Sequence, residues 1–147
     1  MVKRSNAGLI LAIIATVLTL ITYFAFSAVL ASPEFGAIIE ELYDEAPDET
    51  VDMLVMAMES IESMLLIFGI ANLAFGILGW RIKFFNGFLT LLGWLYLLCG
   101  GFIFFLIQGI LTLIASSKNK KYWVEMDLLK KLEREKELRD AVNAKSE

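Results

Sequence analysis

No charged side chain occurs between residues 84 and 115, and this stretch constrains the chain more than any other. As one helix it would reach ~50 Å at 1.5 Å per residue, well past a hydrocarbon layer of ~30 Å. The pair Gly100-Gly101 divides it into halves of near-equal length. The spacing predicts two short apolar helices folded back at the glycines, over residues 82–98 and 102–117.

Of the 147 residues 58% are apolar, above the share of about 45–50% usual in soluble domains, so lipid is the expected solvent. The formal charge of −4 averages two unlike regions. Ten of the seventeen acids (Glu34, Glu40, Glu41, Asp44, Glu45, Asp48, Glu49, Asp52, Glu59 and Glu62) share one segment that contains no Lys or Arg. With a single cysteine, Cys99, no intrachain disulfide can form, and that thiol reads as a small apolar packer.

Lys3-Arg4 precede an apolar run that extends to Ala31, too long for the core of a secretory signal and read as an uncleaved first span over residues 7–31. Thr16, Thr19 and Thr22, with Ala12 and Ala15, form a small-residue stripe against which another helix can pack closely. Ser32-Pro33-Glu34 has the form of a helix start. Phe35, Ile38, Ile39 and Leu42 then recur at helical spacing opposite Glu40, Glu41, Asp44 and Glu45. Pro47 ends this amphipathic helix and opens the next. There Val51, Leu54, Val55, Met58, Ile61 and Leu65 carry an apolar face into a span at 61–80. Gly69, Ala71, Ala74, Gly76 and Gly79 give that span its small surface, Asn72 its one deep polar group and Trp80 its boundary.

Short loops rich in Lys and Arg stay on the cytoplasmic side. Lys3-Arg4, Arg81 with Lys83, and Lys118 with Lys120 and Lys121 agree on one side only if there are four spans. The expected fold is thus an all-α integral membrane four-helix bundle. Both termini lie inside, an acidic helical hairpin over 32–60 lies outside, and a charged amphipathic helix and tail over 122–147 lie in the cytoplasm. Tyr122-Trp123 form an interface anchor, Val124, Leu128, Leu129 and Leu132 an apolar edge, and fraying is expected from Ala141 onward.

Chemistry-bearing patterns are few. There is no histidine, no phosphate-binding glycine loop and no nucleophile elbow, so no enzyme, cofactor, metal or nucleic-acid partner is expected. Met53, Met56, Met58 and Met64 would suit Cu(I) as soft ligands, but read better as apolar packing. Asn72, Asn86, Gln108 and Thr112 are the polar groups available to line a pore, which short helices could build only by oligomerising.

The run Arg81-Ile-Lys-Phe-Phe-Asn-Gly-Phe-Leu-Thr-Leu-Leu-Gly, continued by Phe102-Ile-Phe-Phe-Leu-Ile-Gln-Gly-Ile-Leu-Thr-Leu-Ile-Ala, resembles small four-helix membrane proteins of Gram-positive bacteria, of the domain-of-unknown-function 4064 type. The likeness covers residues 1–121, departs from the family's Ala-Gly-Ile-Leu at Gln108, and implies a bacterial plasma-membrane protein with no known active site. The function expected from these readings is a non-enzymatic accessory or scaffold protein that associates with another membrane protein or with itself. A cytoplasmic protein would meet it at Leu128 and Leu132. The alternatives are an immunity or stress sensor engaging cationic peptides through Glu40, Glu41, Asp44 and Glu45, and a small oligomeric channel. Asn72 and Gln108 complete the interaction candidates.

Overall fold

A computed structural model describes residues 4–99 and 103–145. Among them all regular structure is helical: α1 (Ala7–Leu30), α2 (Pro33–Glu45), α3 (Asp48–Arg81), α4 (Lys83–Leu98) and α5 (Ile103–Lys145). The expected turn at Gly100-Gly101 and the expected span start at Phe102 lie outside the described residues.

Local chemistry sets the breaks. Ser32 accepts a hydrogen bond from the Phe35 amide at 3.2 Å and Pro33 takes the first position of α2, satisfying a donor that the helix leaves open. Ala46, ahead of Pro47, is extended, and α3 follows at once. At 34 residues α3 measures ~50 Å, so it runs unbroken from the acidic segment through its whole apolar stretch. Only Ile82, in extended geometry, separates α3 from α4. That single residue folds the two helices back on each other and keeps Arg81 and Lys83 together.

Four helices make the bundle. α1 lies between α3 and α5, and α4 lies between the same two on the opposite side, so α1 faces α4 across the middle. The small residues of α1 turn inward, with Ala12, Ala15, Thr16 and Thr19 all buried. They meet Gly69 and Gly76 of α3, where a side chain would intrude: a Cβ at Gly76 would sit 2.7 Å from the Ala12 Cβ. Leu65, Leu92, Tyr96 and Phe105 form one apolar cluster, and Ala12, Leu89 and Ala115 a second. α2 has no buried residue and rests lightly on α3, tied by Tyr43, whose hydroxyl donates to Asp52 at 2.6 Å and is pushed above its usual pKa by that bond.

The surface is inverted relative to a water-soluble bundle. Ile10, Ile14, Val17, Ile21 and Phe24 of α1 point outward, as do Ile67, Ile70 and Ile77 of α3, Leu91, Trp94 and Leu98 of α4, and Ile107, Ile110 and Ile114 of α5. Thr16, Thr19, Asn72, Asn86, Gln108, Thr112, Ser116 and Asn119 are buried. Two helices, α1 and α3, are long and apolar enough to cross a membrane; α4, at 16 residues, is a shorter apolar helix.

Several expectations need correction. α5 passes without a break through residues 117–122 and is helical to Lys145, so the apolar and charged regions share one helix. Charged pairs four apart and a run of good helix formers sustain the backbone where the apolar stretch stops. Leu54 lies off the buried face, 40% exposed, because the apolar arc at the start of α3 is wider than the stripe its neighbours cover. Ala74 is exposed as well, on the outer side of α3, and Ile38 is exposed on α2, which only half-buries Phe35, Ile39 and Leu42.

Gly79 and Gly87 should respond oppositely to alanine. A Cβ at Gly79 would meet the Asn86 Cα at 3.0 Å, a backbone atom that cannot step aside, whereas Gly87 has nothing within 4 Å. Gly79→Ala is expected to destabilise by ~1–3 kcal/mol and Gly87→Ala to stabilise by ~0.5–1 kcal/mol, read from unfolding in mixed micelles.

Candidate functional site: a polar seam and the basic end of the bundle

The buried polar groups form a seam along the bundle axis, placed there by the stripe of α1 and by single polar residues spaced along the other helices. At its centre Asn72 of α3 donates to the Ala12 carbonyl and to Thr16 Oγ1, each at 3.1 Å, and accepts from Thr112 of α5 at 3.2 Å. One amide thus joins three helices, including the diagonal pair α3 and α5. One turn toward the acidic end, Thr19 gives its proton to the Ala15 carbonyl at 2.9 Å, so Tyr96 is the donor in the 2.9 Å bond between Tyr96 OH and Thr19 Oγ1. This bond closes the other diagonal, α1 to α4. Farther along, Gln108 Nε2 donates to Thr22 at 3.3 Å.

Toward the basic end the seam moves between α4 and α5. Asn86 Nδ2 donates to the Ser116 carbonyl at 3.1 Å, and the Thr90 and Ser116 hydroxyls lie 2.5 Å apart. Beyond them Arg4 sits among three aromatic rings, 5.0 Å from the Trp80 centroid, 4.6 Å from Tyr122 and 5.0 Å from Trp123. A guanidinium at such distances is held by the ring quadrupoles. The indoles are themselves tied: Trp80 Nε1 donates to the Ser5 carbonyl and Trp123 Nε1 to the Gly79 carbonyl, both at 3.2 Å. Lys83 of α4 pairs with Asp127 of α5, and the hydrogen bond from Lys83, helped by its charge, holds the Asp127 carboxyl below its usual range.

Among the described residues four buried polar side-chain atoms have no hydrogen-bond partner: Asn86 Oδ1, Gln108 Oε1, Asn119 Nδ2 and Arg4 Nε. Beside the first of these an open cleft of about 390 Å³ lies between α4 and α5, lined by Lys83, Asn86, Gly87 and Thr90 of α4 and by Lys120, Trp123 and Val124 of α5. Among the described residues no group of three or more His, Cys, Asp or Glu side chains is placed to hold a metal ion.

The residues singled out from sequence fall into three places. Asn72 and Gln108 are inside the seam, 0% and 1% exposed, where their amides donate to side chains or backbone of α1. Glu40, Glu41, Asp44 and Glu45 lie exposed on α2, and Leu128 and Leu132 stand exposed on α5, beyond the bundle. Met53 and Met56 are exposed and Met58 is half-buried. Sequence reasoning missed the Arg4 cage and the pairing of Tyr96 with Thr19. Trp80, Tyr122 and Trp123 were each legible as boundary residues, and the Lys3-Arg4 pair ahead of α1 was the signal that they share an end.

Comparison with family models, with curated proteins and with solved structures finds no match for this chain.

Two measurements probe the seam and its basic end. A double-mutant cycle of Asn72→Ala with Thr112→Val should give a coupling of ~0.6 kcal/mol, rising toward ~1.7 if the bond is among the strongest of its kind. The Asp127 carboxyl should titrate below its usual 3.8, and Lys83→Gln should return it toward that value, read from its carbon shift by NMR. Because the folded value is the lower one, the Lys83–Asp127 tie contributes above the ordinary carboxylate range and is lost as pH falls through the folded value.

Proposed function

We propose that this chain is a four-span membrane scaffold, with α1, the apolar part of α3, α4 and the first half of α5 in the bilayer. Both termini and the Arg81–Lys83 turn face the cytoplasm, and α2 with the start of α3 faces outward. Support comes from the inverted surface: apolar side chains cover the outside of the bundle, and its polar groups bond one another within. α4 suffices as a span despite its 16 residues because it is packed between α3 and α5 and carries its one basic residue, Lys83, at its start.

The scaffold reading rests on one observation above all. α5 leaves the bundle as an unbroken helix that reaches ~40 Å past Lys118, with Val124, Leu128 and Leu132 exposed along it at 47%, 55% and 62%. An apolar edge on a helix in water is a surface for another helix or groove. The partner is a cytoplasmic protein or the cytoplasmic part of a membrane protein, recognised by these leucines.

One observation favours a second reading. α2 buries nothing and presents Glu40, Glu41, Asp44 and Glu45 to the outside, an arrangement that draws cationic peptides by long-range attraction. An oligomeric pore has less support, since Asn72, Asn86, Gln108 and Thr112, the polar groups that would line it, are turned into the bundle and buried there.

Two results decide the proposal. In a Cys99→Ala background, Lys130→Cys should resist an impermeant thiol reagent in intact cells and react once the cells are opened; labelling in intact cells would reverse the topology. Leu128→Gln with Leu132→Gln should abolish crosslinks formed in native membranes while leaving the bundle's stability within ~0.5 kcal/mol, as exposed sites allow. Recovery of monomer alone from the unaltered protein would remove the scaffold reading.

A further inference from the structure

We propose that the cleft between α4 and α5 at the basic end holds one anionic phospholipid whose headgroup carries free hydroxyls. Its phosphate meets Lys83 and Lys120, and one acyl chain lies along α4. This rests on the four-span reading, which places the cleft at the cytoplasmic membrane boundary.

Four features of the cleft converge on such a ligand. Lys83 and Lys120 flank it from two different helices, and basic pockets between helices on this side of a membrane are suited to anionic headgroups. Lys83 already serves Asp127, but an ammonium has three donors and can hold a carboxylate and a phosphate together. Asn86, 7% exposed, lines the cleft and has its amide oxygen unpartnered. That oxygen is a buried acceptor at the cleft wall, so phosphate alone cannot satisfy it; a headgroup hydroxyl can, once a small turn of the Asn86 side chain brings the oxygen to the cleft.

The other two features are steric and apolar. Gly87 leaves open space in the wall, with nothing within 4 Å of the position a Cβ would take. From Gly87 an exposed apolar stripe continues along α4 through Leu91, Trp94 and Leu98, spaced four, three and four residues apart. Those eleven steps cover ~16 Å, about the depth of one leaflet of a ~30 Å core. Cations at the boundary, an acceptor just beneath them and a greasy track one leaflet deep are the parts of a phospholipid in their proper order. A soluble phosphate compound would use the first two and leave the track idle.

The test uses the full chain, purified in mild detergent and stripped of lipid, with bound lipid counted by native mass spectrometry. Dioleoyl phosphatidylglycerol should be retained at least tenfold better than dioleoyl phosphatidylcholine. Lys83→Gln with Lys120→Gln should lower its affinity by about tenfold or more, since each cation near such a surface contributes about one kcal/mol. Gly87→Leu starts from a position whose Cβ meets nothing within 4 Å, and should weaken binding while helix content and melting are not lowered. A phosphatidylmethanol headgroup, which lacks hydroxyls, should bind less tightly than the glycerol one. Equal retention of the two dioleoyl lipids would overturn the inference, as would phosphatidylglycerol binding unchanged in both variants or full displacement by millimolar inorganic phosphate. Carbonate extraction of membranes separates the two failures. A chain released by carbonate defeats the four-span reading itself, whereas one that stays embedded without lipid preference defeats only the cleft.

Discussion

Two hydrogen bonds cross the middle of the bundle, and the rest of the structure depends on them. Asn72 to Thr112 joins α3 with α5, and Tyr96 to Thr19 joins α4 with α1, so both diagonals of a four-cornered arrangement are closed. Neighbouring helices could slide along one another while keeping apolar contact, because aliphatic surface is indifferent to register. A pair of directional bonds at adjacent levels leaves one register in which all four helices agree. In a hydrocarbon environment, where burying apolar surface no longer drives helices together, such bonds and close backbone approach are the means of association. Close approach is present here too, at Gly69 and Gly76 against α1 and at Gly79 against α4.

This division of labour explains why polar residues are scarce yet well placed. Each helix of the bundle contributes at least one hydroxyl or amide at the centre, and none contributes a charge there. Ions are confined to the ends. Acids crowd α2 and the start of α3, while Arg4, Arg81, Lys83 and Lys120 gather at the opposite end with Trp80, Tyr122 and Trp123. The basic end is also where the chain is most heavily tied, by the Arg4 cage, the indole bonds to Ser5 and Gly79, and the Lys83–Asp127 pair.

Much of this was legible in the residues alone. Ser32-Pro33 and Pro47 located the breaks around α2, and the spacing of Ala12, Ala15, Thr16 and Thr19 located the inner face of α1. What periodicity cannot supply is partnership across distance: residues 19 and 96 are 77 positions apart, and only the assembled topology shows that a tyrosine hydroxyl reaches a threonine there. The continuity of the backbone past Tyr122 was not legible for a different reason. A change from apolar to charged composition reports a change of solvent, not a change of backbone, and α5 crosses it as one helix. The unpaired amide oxygen of Asn86 was equally invisible, since the side chain's other half is well bonded.

The one-residue link at Ile82 has a consequence for how the molecule is assembled. A connection that short leaves almost no loop entropy to overcome, so α3 and α4 pair as soon as both have been synthesised. The first helix reaches the same neighbour through α2, a longer loop whose closure costs more, though the cost grows slowly with length. The tightest seam of the molecule is thus also the one that the chain can close with least searching.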